Sequence, residues 1–263
     1  MDRRILERRR AVQRETAARR RRLTASALVL IGLVALGAVA ARSPLFAIQR
    51  VEVTGVRGEE AAAVRVAAGL RIGENLLSAD LGAAASGVRE LPWVSDVDVV
   101  RLPPSGVEIL IDPREPVAVV EAPGGAWVVD ADGWVIARGA AELPVIEAAN
   151  SVLPGEGSQA SDVALRNALA VRGGLPEKLR SQVDRYDAPS ERGLRLHLRG
   201  GDAGDVGVWV RFGSAERVQM KAQVIQLLLD QAREQSELTG AVDLRVSEID
   251  VRAPDNPVLV PSG

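Results

Sequence analysis

Few residues of this chain have types and spacing that suit chemistry. Asp130-Ala131-Asp132-Gly133 opens like a calcium loop, with carboxylates at alternate positions before a glycine. An EF-hand loop needs further oxygen ligands and a bidentate Glu at its twelfth position, which here is Ala141, so the string reads as a hairpin turn. His197, the only histidine, stands in Leu194-Arg195-Leu196-His197-Leu198, with the leucines on one strand face and His197 on the other beside Arg195 and Arg199. A lone histidine cannot make a histidine-rich zinc site, and at this position it reads as a solvated strand residue, not a base. Cysteine is absent, which removes thiolate metal sites and disulfides together.

Asp96, Asp98, Glu108 and Asp112 fall at alternate positions of 94–112, opposite an apolar face. They form a solvated acidic face of the kind that can meet a basic partner. No Walker loop, G-x-S-x-G elbow or G-x-G-x-x-G string is present. A carboxylate-only glycosidase usually needs sugar-stacking aromatics, and Phe, Trp and Tyr make up 3% of the chain. Trp93, Trp127, Trp134 and Trp209 read as core or domain-seam residues. This inventory calls for no catalytic residue, metal or cofactor; it points to a protein that binds other proteins.

The elements that would position these residues begin after Ser43-Pro44. A β-branched run at 48–54 ends at Gly55, and a short helix fits 59–68 with Gly69 as its left-handed cap. For a second helix Ser78 is the expected N-cap and Asp80 favours the positive dipole end. Leu81, Ala84, Ala85, Val88 and Leu91 recur at helical spacing until Pro92. Alternating residues at 97–101 and 107–111, joined through Leu102-Pro103-Pro104-Ser105-Gly106, predict a hairpin. The β-α-α-β-β order makes one small unit.

From Pro116 a second sheet is expected, with strands at 117–121, 126–129, 134–137, 182–186, 194–198 and 206–212. A helix near 162–171 and a long helix from Ser214, carrying Val218, Ala222, Ile225, Leu229 and Ala232 on one face, would cover it. Closing strands fit 246–252 and 258–260. The fold class is therefore α+β, a single N-terminal transmembrane helix followed by two domains, the second with a mainly antiparallel sheet.

The membrane segment follows from charge. Residues 1–22 carry ten Arg against Asp2, Glu7 and Glu15, whereas the remainder is net acidic. Between Arg22 and Arg42 run nineteen uncharged residues, roughly 28 Å of helix, which matches a bilayer core. Its apolar residues include Leu23, Leu28, Leu30, Ile31, Leu33, Val34, Leu36 and Val39. The arginine excess lies before the segment, placing the tail in the cytoplasm and the rest outside. Ala38-Val39-Ala40 also fits a signal-peptidase pattern, but a signal core is shorter and its leading region much shorter than 22 residues, so an anchor is the reading taken.

Layout and several strings resemble the bacterial cell division FtsQ/DivIB family, in an actinobacterial-like form. They are Phe46-Ala47-Ile48 through Val51-Glu52-Val53-Thr54-Gly55, Gly73-Glu74-Asn75-Leu76, Leu91-Pro92-Trp93-Val94, Arg114-Glu115-Pro116-Val117-Ala118 and Val129-Asp130-Ala131-Asp132-Gly133-Trp134-Val135. Leu143-Pro144-Val145-Ile146, Phe212-Gly213-Ser214-Ala215-Glu216 and Ile249-Asp250-Val251-Arg252-Ala253-Pro254 complete the set. The resemblance implies a POTRA domain over about 46–115 and a β-domain over 116–263 whose last strand pairs with FtsB, itself coiled with FtsL. It also implies no catalysis and no cofactor, a place at the division septum, and a part in controlling the septal peptidoglycan synthase FtsW–FtsI.

Partner contacts are expected at Glu248, Val251, Arg252, Ala253, Asp255, Asn256, Val258, Leu259 and Val260, with Arg252 where the family presents a basic residue to FtsB. No aromatic follows Phe212, a departure from better-known members of the family. Other classes open to the sequence are a membrane-anchored cell-wall hydrolase and a POTRA-bearing translocation component, although the latter needs a long C-terminal barrel for which no room remains.

Overall fold

The computed structural model describes residues 26–34, 37, 43–199, 207–239 and 246–261. The basic tail lies outside the described residues, as do Leu23, Leu36 and Val39. Residues 26–34 are helical, and Leu28, Leu30, Ile31, Leu33 and Val34 are 61–68% exposed. Among the described residues no helix is long and apolar enough to cross a membrane.

The rest forms two compact units. The first takes the chain to Gly87 together with Val97–Ile111; the second takes Val88–Asp96 and everything from Asp112. The first is built on β1 (Arg50–Thr54), α1 (Gly58–Ala68), α2 (Leu81–Arg89), β2 (Val94–Leu102) and β3 (Gly106–Pro113). The sheet order is β1-β3-β2, with β1 and β3 parallel and Val51 and Val53 opposite Val107 and Ile109. Val97, Val107, Ile109 and Ile111 are buried, while Asp96, Asp98 and Asp112 are exposed on the other face. The expected alternation holds at these positions, while Glu108 on the same face is half-buried and accepts a hydrogen bond from Thr54 Oγ1 at 3.2 Å.

Two glycines let this unit close. Gly55 has φ +104, and a Cβ there would lie 2.0 Å from the Ile111 carbonyl oxygen. At Gly87 a Cβ would come 2.4 Å from the Ala67 carbonyl oxygen, so α1 and α2 meet backbone to backbone. The cap of α2 is Asp80, not Ser78: its Oδ1 accepts the Ala83 N–H at 2.9 Å. Ser78 belongs instead to a turn in which Asn75 Oδ1 accepts the Leu77 and Ser78 N–H groups.

The second unit contains β4 (Ala118–Ala122), β5 (Gly125–Val129), β6 (Val135–Arg138), β7 (Val145–Glu147), α3 (Val163–Gly174), α4 (Glu177–Arg180) and β8 (Val183–Asp187). It continues with β9 (Arg195–Leu198), β10 (Val208–Arg211), α5 (Val218–Thr239), β11 (Val246–Asp250) and β12 (Val258–Pro261). These strands make one sheet in the order β12-β11-β10-β9-β8-β7-β4-β5-β6. Three of its pairings, β4 with β7, β7 with β8 and β10 with β11, are parallel; the others are antiparallel.

Leu165, Ala168, Leu169 and Val171 of α3 join Ala222 and Ile225 of α5 in the core, on the sheet face that carries Val120, Ile146, Tyr186, Leu196, Val210 and Ile249. The other face of the sheet carries ion pairs beside apolar residues such as Val119 and Trp209. There Glu147 pairs with Arg185, Asp187 with Arg195 and Arg211 with Glu248.

Candidate partner-binding edge

The two borders of the nine-stranded sheet differ. At β6 the outer backbone groups are occupied: the Val135 N–H donates to the Ser158 carbonyl at 3.0 Å, and the Val135 carbonyl accepts the Gly157 N–H at 2.8 Å. The Arg138 N–H donates to Glu156 Oε1 at 2.8 Å. A loop thus seals that border. At the opposite border β12 pairs only with β11, and among the described residues no segment is bonded along its outer side. Alternate N–H and C=O groups of such a strand point outward, unpaired.

The side chains along this direction form a continuous apolar row. Trp127, Val120, Ile146, Tyr186, Leu196, Val210, Ile249 and Leu259 stand opposite one another from β5 to β12. From Val120 to Ile249 they are at most 1% exposed, whereas Leu259, at the border, is 42% exposed. Burial pushes the Tyr186 hydroxyl in the middle of the row up to about 12. The row thus runs from the core out to an exposed residue at the border. Val258, on the other face opposite Asp250, is 51% exposed.

The turn from β11 to β12 is fixed by ion pairs and a proline. Arg252 reaches back to Asp250, with Nε 3.0 Å from both carboxylate oxygens and Nη2 2.6 Å from Oδ2. These bonds hold the Asp250 carboxyl below its ordinary value. Arg217 Nη1 donates to Asp255 Oδ2 at 2.9 Å, the Asn256 N–H closes on the Ala253 carbonyl at 3.0 Å, and Pro254 is buried. Glu248 is half-buried and accepts from Arg211 Nε at 2.6 Å.

Of the expected contact residues, Arg252, Ala253, Asp255, Asn256, Val258 and Leu259 are exposed on this turn and strand, and Val260 pairs with Glu248 in register. Val251 is placed otherwise. It is fully buried beside Ile249 in the core, and its N–H donates to the Arg211 carbonyl at 3.0 Å.

The matching family models are "POTRA domain, FtsQ-type" over residues 46–112 and "Cell division protein FtsQ/DivIB, C-terminal" over residues 118–245. The cell division protein FtsQ of Mycolicibacterium smegmatis is 36% identical over 78% of this chain, and that of Streptomyces griseus is 30% identical over 80% of this chain and 96% of its own length. The chain belongs to the FtsQ/DivIB family. The protein from Corynebacterium glutamicum is 27% identical over 76% of this chain and 87% of its own. The alignment spans 59% of the Mycolicibacterium smegmatis protein. The C-terminal family model stops at residue 245, before β11 and β12.

Family membership gives the chain a role in cell division, and the strings that carried the resemblance have structural jobs. Asp130 closes the β5–β6 turn, its Oδ1 accepting the Asp132 and Trp134 N–H groups at 3.0 and 2.8 Å, while Oδ2 takes Arg114 Nη1 at 2.8 Å. Its carboxylate is fully engaged as a turn and ion-pair residue. The Phe212–Glu216 string holds the loop before α5, which begins at Val218 and not at Ser214 because Arg217 turns to φ +52.

Two residues that sequence reasoning missed anchor that loop. Lys221, 2% exposed, donates from Nζ to the Phe212 and Ser214 carbonyls at 2.9 and 2.8 Å. Asn167 donates to the Gly213 carbonyl and accepts the Ala215 N–H. The signal for Lys221 was its place on the apolar face of the helix, one turn before Ile225.

His197 is more engaged than a solvated strand residue. Its Nδ1 lies 2.7 Å from Asp184 Oδ1, and its ring lies 4.9 Å from Trp209. The tryptophans are half-buried, and three of them serve as shelves for arginines: Trp134 under Arg114, Trp127 under Arg138 and Trp209 under Arg195. A cavity of about 420 Å³ lies among Glu142, Arg172, Glu177, Arg180, Asp184 and Arg199. Glu177 is bonded to Arg180 and Asp184 to His197, and no aromatic ring lines the cavity.

Proposed function

We propose that this chain is a non-enzymatic scaffold of the division machinery, held in the membrane by residues 23–41, whose β12 border receives a strand of FtsB, itself coiled with FtsL. Its domains in this reading are a cytoplasmic tail over 1–22, the anchor, a POTRA domain over 46–115 and a β-domain over 116–263. Through the FtsB–FtsL pair it helps to control the septal synthase FtsW–FtsI.

The observation that carries the reading is the contrast between borders: the β6 side is closed by its own loop, and the β12 side ends an apolar row on a 42% exposed Leu259. An incoming strand would satisfy the outward backbone groups of β12 and bury Leu259, the two gains that drive strand addition. Arg252, Ala253, Asp255 and Asn256 sit at the mouth of this border, Val258 and Val260 lie along it, and Glu248 stands one strand in, opposite Val260. Val251 contributes from inside, by fixing β11. Arg252 already has Asp250 as its partner, so an acidic residue of FtsB would share the guanidinium.

The anchor is supported by the uncharged run and by the exposed apolar helix at 26–34. The test is capture of the FtsB–FtsL pair by the full chain and by a version ending at Pro254. The truncated protein should remain folded and lose the pair. Retained capture would place the site elsewhere.

A further inference from the structure

We infer that the end of the first unit formed by Leu45 and Leu77 rests in the lipid interface on the exported side of the bilayer. This rests on the anchor reading above.

The starting point is tether length. Only Arg42, Ser43 and Pro44 separate the uncharged segment from Leu45, so the two Cα positions at its ends are at most about 14 Å apart. The tether is shortened further by its own structure: Pro44–Phe46 is a 3-10 turn, with the Leu45 N–H directed at Ser43 Oγ. An anchored segment therefore delivers Leu45 to the headgroup region. Leu45 is 71% exposed.

Leu77 arrives at the same place by pairing. Ala47 bridges Asn75 in antiparallel sense, and the Leu76 N–H donates to the Phe46 carbonyl at 2.7 Å. Leu45 and Leu77 each lie one residue beyond that bond, at the membrane-proximal end of the paired segments. Leu77 is 48% exposed, while its neighbour Leu76 and the nearby Ile48 are fully buried and hold the arrangement rigid. Two large exposed apolar side chains beside a lipid tether find in the interface the burial that water denies them.

The same loop supplies its own control. Ile72 is 67% exposed but lies at the far end of the pairing, where the Gly73 N–H donates to the Ile48 carbonyl. Val66 on α1 is 82% exposed. Apolar exposure alone would send all four residues to lipid; the geometry selects Leu45 and Leu77.

The chain has no cysteine, so single cysteines at Leu45, Leu77, Ile72, Val66 and Val34 can each be labelled with a polarity-sensitive fluorophore in the full-length protein. The labelled proteins are placed in nanodiscs of phosphatidylethanolamine and phosphatidylglycerol carrying a headgroup-level quencher. The expected result is a blue shift and loss of emission at Leu45→Cys and Leu77→Cys, with Ile72→Cys and Val66→Cys unchanged. Lipid contact at Val34→Cys without any at Leu77→Cys overturns the docked end and leaves the anchor standing. Equal quenching at Leu77→Cys and Ile72→Cys overturns it too, since the contact would then be unspecific. Absence of lipid contact at Val34→Cys overturns the anchor and this inference together.

Discussion

Leu259 stands directly opposite Ile249 in the antiparallel pairing of β12 with β11, yet the first is 42% exposed and the second 1%. One strand spacing separates a core position from a border position, so a substitution at Leu259 tests binding with little penalty to the fold. Leu259→Asp should change unfolding free energy by no more than about 1 kcal/mol. It should weaken FtsB–FtsL binding by at least about tenfold, because it places a charge where the incoming strand is to be apolar. Titration calorimetry beside a denaturant melt separates the two effects. Unchanged affinity would exclude Leu259 from the interface.

Gly55→Ala should destabilise the first unit. The residue has φ +104 and its Cβ would lie 2.0 Å from the Ile111 carbonyl oxygen, so the backbone must shift to admit a methyl group. Strain of this kind costs about 1–3 kcal/mol. Faster amide exchange in β1 and β3 than in the second sheet would report it; uniform exchange would not fit.

Arg114→Met should be costly in the second unit. Arg114 and Asp130 are 2.8 Å apart with side chains 11% and 9% exposed, and the substitution also removes the cation over Trp134. Breaking a buried pair from one side costs about 3–5 kcal/mol. The tryptophan emission of the unfolded and folded states gives a direct melt, and a loss below about 1 kcal/mol would contradict the assigned role.

The β11–β12 turn should loosen in acid. Hydrogen bonding to Arg252 holds the Asp250 carboxyl below its ordinary 3.8, so the folded state binds its proton less readily than the unfolded state. The pair's contribution is therefore complete above the unfolded value and is lost as pH falls through the lower folded one. Exchange at β12 amides, corrected for its intrinsic pH dependence, should rise in that window. In Asp250→Asn that rise should be absent.

Much of this architecture was legible because it follows from period and punctuation. Leu81, Ala84, Ala85 and Val88 recur at helical spacing and are all buried, and Gly55 and Gly69 stop their elements through positive φ. Both β7 and α4 escaped reading as elements. A three-residue strand such as Val145–Glu147 has too few positions to show alternation, and the four residues of Glu177–Arg180 make barely one helical turn. Val251, expected among the partner contacts, keeps the parity of Ile249 and goes inward. The turn at Arg217 sets the start of α5, and Asn167 holds the preceding loop through a long-range contact that no local pattern encodes.

The loop that bonds to β6 also governs how copies of this protein can combine. A sheet with both borders free is a monomer of an endless fibre, because each copy can accept on one side and donate on the other. Here Ser158, Gly157 and Glu156 occupy one side, so edge-to-edge growth has a single direction and no second step. Joining β12 of one copy to β12 of another ends in a closed pair, and a foreign strand taken at that position caps it. Crowded copies therefore cannot polymerise edge to edge through the nine-stranded sheet.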